Sequence, residues 1–387
     1  MKDRPSLVRL KLFLLNSALI LVSVLGAYLV LEFAFFRFFL PTMPLRLRPQ
    51  LPAAADVLTQ NSKAAFVPRD YVALLGDSYA EGIGDWLWQT EGNRTKPFHS
   101  ANVIHELTGR DVVSFGKGGA GSAEGIVERP AKAFLASSCY LFPLIDPPRQ
   151  IFIYYYEGND VEDNLNFENK VLGRYGRVDA GSIDRYLTEQ YAVRHFWDCH
   201  LELADMASRM TKFLYEYYVS GLDLFTCSAI TGPSDFNRLI VAGRTVSAPT
   251  LQGPALGVSD EFIRSAMLVL DRSLTWLQHR FENVPITMVY VPSPLSLYHF
   301  AGEDVSNCAV PIRRSSVASV ERNSDFISAL VQKSATRHGI DFIDVRPALR
   351  ALAATTVIHG PKDWDHFNEA GYRALGAIIA AHVTARP

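Results

Sequence analysis

Five apolar runs punctuate the chain, and each reads as a buried strand: YVALLGDS at 71–78, DVVSFGKGG at 111–119, QIFIYYYEGND at 150–160, PITMVYVPSP at 285–294 and IDFIDV at 340–345. None alternates apolar with polar residues. Continuous runs of this kind belong to strands covered on both faces. Between them the spacing predicts helices over about 98–108, 122–137, 259–281, 320–338 and 368–384, with Pro130 as a kink in the second. Strands alternating with helices predict an α/β fold on a parallel sheet, and such sheets bind ligands at the carboxyl ends of their strands. Three polar, glycine-rich motifs stand at three such ends: Gly76-Asp77-Ser78, the stretch from Gly116 to Gly121, and Gly158-Asn159-Asp160. A segment over about 161–257 departs from the pattern. Its runs LTEQYAVRHF and MASRMTKFLYEYY have helical periodicity, so it reads as a largely helical insertion whose ends lie at the ligand-binding edge. Its many aromatic residues, among them Tyr175, Tyr186, Tyr191, Phe196, Trp197, Phe213, Tyr215, Tyr217 and Tyr218, suit a cap over a site, with a subunit or partner surface as the other use.

The first 40 residues follow a different rule. Residues 12–31 carry no charge, and a helix of that length matches the hydrocarbon core of a bilayer. The run is longer than the apolar region of a cleaved signal peptide, and the alanines at 53–55 lie too far downstream for a cleavage site. Residues 1–40 are therefore read as a retained membrane anchor, 41–69 as a linker rich in proline, alanine and polar residues, and 70–387 as the body. Lys2, Arg4, Arg9 and Lys11 precede the span, which predicts a cytoplasmic N-terminus and a body outside, in the periplasm where there is one. Arg37, Arg46 and Arg48 follow the span and pull the other way.

Composition adds exclusions. With 48% hydrophobic and 20% charged residues the 387-residue chain has the balance of a globular protein. The net charge of −2 offers no basic surplus for a nucleic-acid backbone. Cys139, Cys199, Cys227 and Cys308 permit bridges in an oxidising compartment or four buried thiols, and no Cys/His spacing for a metal is present.

The candidate chemistry starts at Ser78. A serine hydroxyl becomes a nucleophile when a base takes its proton, a carboxylate orients that base, and donors meet the oxyanion. Asp363 and His366 stand three residues apart in a loop before the last helix, a spacing at which the carboxylate reaches the imidazole. The oxyanion donors are the backbone N–H of Ser78, that of Gly119, and the side-chain amide of Asn159, with Gly116 and Gly118 as the other glycines of that loop. The order GDS, glycine, GND, DxxH resembles the GDSL family of the SGNH hydrolase superfamily. The resemblance covers four blocks between Tyr71 and about Gly376, leaving out the insertion. It implies a flavodoxin-like three-layer α/β/α sandwich with five parallel strands. It also implies a nucleophile at Ser78, oxyanion donors at Gly119 and Asn159, and the remaining triad members at Asp363 and His366. Two positions depart from the family: Ser114 stands where an asparagine is usual, and Glu157 where the third block often has glycine.

Neighbouring residues take plainer roles. Asp77 reads as an acceptor fixing its loop, and Asp365 is the alternative orienting acid. His359 lacks the following acidic loop of a base, and His195 and His200 read as surface or packing residues. Trp86 and Trp88 suit either packing or an acyl or sugar pocket. The expectation is a membrane-anchored serine esterase acting on a small-molecule or glycan-linked ester, with no cofactor, no metal and no nucleic acid. An O-acyltransferase of cell-surface polysaccharide and a non-catalytic glycan-binding member are the alternatives.

Overall fold

The computed structural model of the chain describes residues 4–40, 51, 53–84, 99–137, 145–191, 206–208, 211–212, 215, 231–232, 234–308 and 312–384. The chain divides into two compact units, Met1–Met43 and Pro44–Pro387. In chain order the strands of the second unit are β1 (Val72–Leu75), β2 (Val112–Ser114), β3 (Gln150–Tyr156), β4 (Asn237–Val241), β5 (Arg244–Ala248), β6 (Ile286–Val291), β7 (His299–Phe300), β8 (Asp304–Asn307), β9 (Arg313–Ser316) and β10 (Asp341–Asp344).

The five apolar runs form one sheet in the order β10-β6-β3-β1-β2, every pair parallel. Every residue of β1, β3 and β6 is buried, and alternation along each strand decides which layer a side chain joins. Val72, Leu74, Phe152, Tyr154, Val289 and Val291 pack with the helices Ser100–Thr108, Arg346–Ala353 and Glu369–Thr384. Ala73, Leu75, Ile151, Ile153, Met288 and Tyr290 face the helices Arg129–Ser137, Asp260–Arg280 and Val317–Arg337. The fold is thus a three-layer α/β/α sandwich with the strand order 2-1-3-4-5 of flavodoxin-like sheets, as the resemblance implied. Ser259 and Ser316 cap two of the covering helices by accepting the amides of Phe262 and Ser319.

Three local features differ in detail from the sequence reading. The kink expected at Pro130 is a change of winding: a π-helical stretch, Ala123–Glu128, gives way to the α-helix Arg129–Ser137. The amide of Arg129 bonds to the carbonyl of Glu124, five residues back, just before the residue that has no amide to give. Within the segment read as a linker, the helix Ala53–Thr59 is packed into the core through Val57, and Ser62 and Gln60 hydrogen-bond the outer edge of β2. The apolar and polar positions there are too few for a pattern to show. The third feature is a β-hairpin, β4–β5, which β7 extends to a three-stranded antiparallel sheet. Its turn is Ala242-Gly243, both with positive φ, the conformation that tight hairpins require.

The described part of the insertion begins with the helices Asp160–Tyr175 and Ala180–Tyr186 and a π-helical turn, Leu187–Tyr191. They close around Phe167, whose ring meets those of Tyr186 at 5.0 Å and Tyr191 at 6.2 Å, and the cluster packs on Val269 and Val127. Tyr215 is exposed, while Phe196, Trp197, Phe213, Tyr217, Tyr218, His195 and His200 lie outside the described residues, as do Trp86, Trp88 and three of the four cysteines. Cys308 is disulfide-bonded.

The first unit is the helix Arg4–Ala34 followed by a π-helical turn, Phe35–Phe39. Its segment Arg9–Ala34 has 26 residues, and an 18-residue stretch of it has a mean hydropathy of 2.2, long and apolar enough to cross a membrane. Leucines, valines and phenylalanines stand exposed along it, as on a helix that is apolar all round rather than on one stripe.

Candidate active site

Sheet order brings the predicted residues to one edge. Ser78 follows β1, the Gly116–Gly121 loop follows β2, and Asn159 follows β3, with β1 between the other two. The turn out of β1 needs Gly76: its φ is +135°, and a side chain there would start 2.5 Å from the carbonyl oxygen of Tyr154. Asp77 then caps a single helical turn, Ser78–Glu81, by accepting the Tyr79 amide at 2.9 Å. The Ser78 hydroxyl donates to the other Asp77 oxygen at 3.3 Å, and among the described residues it makes no hydrogen bond to His366. Asp77 is fully buried, and that burial pushes its carboxyl up to about 6 against the pull of the Tyr79 amide and the His366 charge.

The histidine loop docks on this turn through Tyr79. Its hydroxyl donates to the carbonyl of Asp365 at 2.7 Å, and its ring lies 5.4 Å from that of His366 and edge-on to Phe367 at 4.9 Å. Within the loop, Asp363 Oδ2 is 2.8 Å from His366 Nδ1. The carboxylate bonded to the imidazole is therefore that of Asp363, and Asp365 contributes its backbone. Burial pulls the His366 pKa down, but the charge and hydrogen bond of Asp363, then the charges of Asp365 and Asp77, outweigh it and raise it to about 9. Burial works against the Asp363 carboxylate, yet the His366 charge and the loop amides hold it below its ordinary value. His359 is buried beneath the loop, its Nδ1 3.0 Å from the Tyr298 hydroxyl, and burial lowers it to about 3, so it stays a neutral packing residue.

The backbone amides of the β2 loop are allotted one by one. Gly116 donates to Ser114 Oγ, Lys117 to the carbonyl of Gly76, Gly118 to the carboxylate of Glu81, and Ala120 to the carbonyl of Lys117. Of the three glycines weighed from the sequence, Gly119 alone keeps an amide with no acceptor among the described residues, at a φ of +67°. The loop runs close to the serine: a side chain at Gly118 would start 3.9 Å from the Cβ of Ser78. The amide of Ser78 is likewise uncommitted. Among the described residues the side chain of Asn159 makes no hydrogen bond, and its Oδ1 is buried.

The two departures from the family pattern have structural work. Ser114 is buried, and its hydroxyl links Gly116 to the carbonyl of Ala80, fastening the β2 loop to the serine turn. Glu157 is fully buried and accepts hydrogen bonds from the Ser293 amide and hydroxyl at 2.9 Å, Ser324 Oγ at 2.7 Å, Tyr290 Oη and Ser296 Oγ. A carboxylate at this depth is kept by its donors, and it anchors the end of β3 two residues before Asn159. Sequence reasoning missed Glu81, which shares the serine's helical turn and holds Gly118. Its signal was an acid three residues after the serine, one turn further along a helix.

No family model and no curated protein matches the chain. Solved structures to which the chain shows similarity include a lipase/acylhydrolase from Enterococcus faecalis, 13% identical with a TM-score of 0.37, covering 82% of this chain and 97% of that one. An extracellular lipase from Streptomyces rimosus is 15% identical with a TM-score of 0.38, covering 81% and 98%. A phospholipase A1 from Streptomyces albidoflavus NA297 is 14% identical with a TM-score of 0.37, covering 82% and 99%.

Proposed function

We propose that the chain is a membrane-anchored serine esterase of the SGNH type, with Ser78 as nucleophile, His366 as base, Asp363 as its orienting acid, and Ser78, Gly119 and Asn159 as oxyanion donors. The observation that carries the reading is the setting of Ser78. It leaves the central one of three adjacent strands, with an uncommitted amide on the loop of one neighbour and an unbonded asparagine on the other, and the Asp363–His366 pair is docked on its own turn through Tyr79.

The chemistry runs as acyl transfer. His366 Nε2 takes the proton of Ser78 as Oγ attacks the ester carbonyl, and Asp363 stabilises the imidazolium that forms. Negative charge moves to the carbonyl oxygen, where the three donors meet it; neutral amides placed in advance do this without reorganisation. The tetrahedral species collapses as His366 passes its proton to the departing alcohol. Water, deprotonated by the same imidazole, then attacks the acyl-serine and releases the acid. The Ser78 hydroxyl must swing from Asp77 towards His366 before the first step, a tightening that substrate binding commonly brings about.

The uncharged stretch 12–31 of the helix Arg4–Ala34 supports anchoring, the four basic residues ahead of the span support a cytoplasmic N-terminus, and the disulfide at Cys308 supports an oxidising compartment for the body. The test is hydrolysis of p-nitrophenyl esters, acetate to long chain, by the detergent-solubilised protein, together with fluorophosphonate labelling. Free acid released in water, with labelling and activity both lost in Ser78→Ala, is the expected result. Turnover that is negligible in water but strongly raised by a sugar acceptor, with the acyl group recovered on the sugar, replaces hydrolase by transferase. Neither labelling nor turnover leaves a binding role.

A further inference from the structure

We propose that Glu81 is a positioning residue for the oxyanion hole: by holding the Gly118 amide it makes the next amide, that of Gly119, the one presented to substrate. The proposal rests on the reading of Ser78 as nucleophile and adds a residue that the family letters do not contain.

Glu81 is 4% exposed, and its backbone is fixed on both sides, the amide on the carbonyl of Asp77 at 3.0 Å and the carbonyl on His99 Nε2 at 2.7 Å. The side chain crosses to the β2 loop, where Oε2 accepts the Gly118 amide, while Oε1 is buried with no hydrogen-bond partner among the described residues. A buried carboxylate with one oxygen unbonded is costly, and stability alone would favour a shorter or apolar side chain here. The contact has a geometric consequence. Serine and Glu81 share one helical turn, so the bond to Gly118 ties the nucleophile and the loop into one body. The loop's backbone lies against that turn: a side chain at Gly116 would start 2.1 Å from the Glu81 amide nitrogen. Gly119 itself has a φ of +67°, the left-handed backbone that glycine adopts without strain. With Gly116, Lys117 and Ala120 committed elsewhere, releasing Gly118 would leave two adjacent amides to compete for the oxyanion and the loop free to rotate between them. Glu81 has no hydrogen bond to His366, so it does not serve as a second orienting acid.

The experiment compares Glu81→Gln, Glu81→Asp and Glu81→Ala in the full-length protein, with Ser78→Ala as control. Gln keeps an oxygen at the same reach, Asp keeps the charge but falls short by one methylene, and Ala removes the acceptor. Asp and Ala are expected to lower kcat by about 10–100-fold with KM within about twofold, because the lost interaction exists chiefly in the transition state. Affinity for a boronic acid that forms a tetrahedral adduct on Ser78 should fall by the same factor, and Gln should recover most of both. A residue needed only for packing would shift the melting temperature without this pattern. Unchanged kcat in Asp and Ala, a rise in KM alone, or a Gln variant as impaired as Ala overturns the role; if Ala does not fold, Asp against Gln decides. Wild-type protein without Ser78-dependent hydrolysis overturns the esterase reading itself, and with it this role. Full Ser78-dependent activity in all three Glu81 variants overturns the role alone.

Discussion

Asp363 holds His366 by two means at once: Oδ2 lies 2.8 Å from the ring Nδ1, and Oδ1 accepts the amides of Asp365 and His366 itself. The carboxylate is thereby locked to the backbone of the residue it orients. Asp363→Asn should lower kcat by about 10⁴-fold, the scale seen when a triad aspartate becomes an amide and the wrong tautomer is favoured. Asp365→Asn should change kcat little, since Asp365 serves Tyr79 through its carbonyl. Steady-state kinetics on a p-nitrophenyl ester decide, and the opposite ranking would transfer the role to Asp365.

The same pair sets a pH dependence in which activity and stability run in opposite directions. The base must be neutral to accept the serine proton, and its pKa is raised to about 9. kcat/KM of the free enzyme should therefore climb with pH through about 9. The folded-state value lies above the roughly 6.5 of an unfolded histidine, so the ion pair's contribution to stability is complete below about pH 6.5 and is lost as pH rises through about 9. Melting temperature and kcat/KM measured over that range should cross. A limb near 6.5 with a flat melting curve would contradict the ion pair.

The asparagine after β3 is predicted to act late. Asn159→Ala should reduce kcat by about 100–1000-fold with KM little changed, the usual loss for one oxyanion donor. A variant that raised only KM would show that Asn159 binds the ground state instead.

Glu157 is predicted to matter for stability. Glu157→Ala would leave the amide and hydroxyl of Ser293 and the hydroxyl of Ser324 without their acceptor in the core, while the hydroxyls of Tyr290 and Ser296 keep the carbonyls of Ser324 and Ser293. Each buried donor left unsatisfied in this way costs about 1–3 kcal/mol, measurable by denaturant titration. A loss under about 1 kcal/mol would mean that the pocket refills with water or collapses.

Orientation is testable by fusion. A reporter joined at the C-terminus should be active only when it folds outside the cytoplasm, as the basic residues before the span direct. Activity of a cytoplasmic reporter at the same position would reverse the topology.

Sequence alone determined what depends on short-range pattern. The five strands were legible because burial on both faces demands unbroken apolar runs, and the long N-terminal helix because its run of apolar residues without charge is itself a local pattern. The motif letters were legible because turns at strand ends are local. Tertiary structure decided what depends on which groups find partners across the fold. That the amides of Gly116 and Gly118 are taken follows from hydrogen bonds to Ser114 and Glu81, residues that lie nearby only after the sheet forms. Glu157 read as a departure until its donors arrived from β6 and two helices, and Glu81 went unremarked because its partner lies 37 residues away. The hairpin β4–β5 and the packed helix Ala53–Thr59 were hidden for a related reason: short elements carry too few positions for a period, and contacts distant in sequence supply their stability.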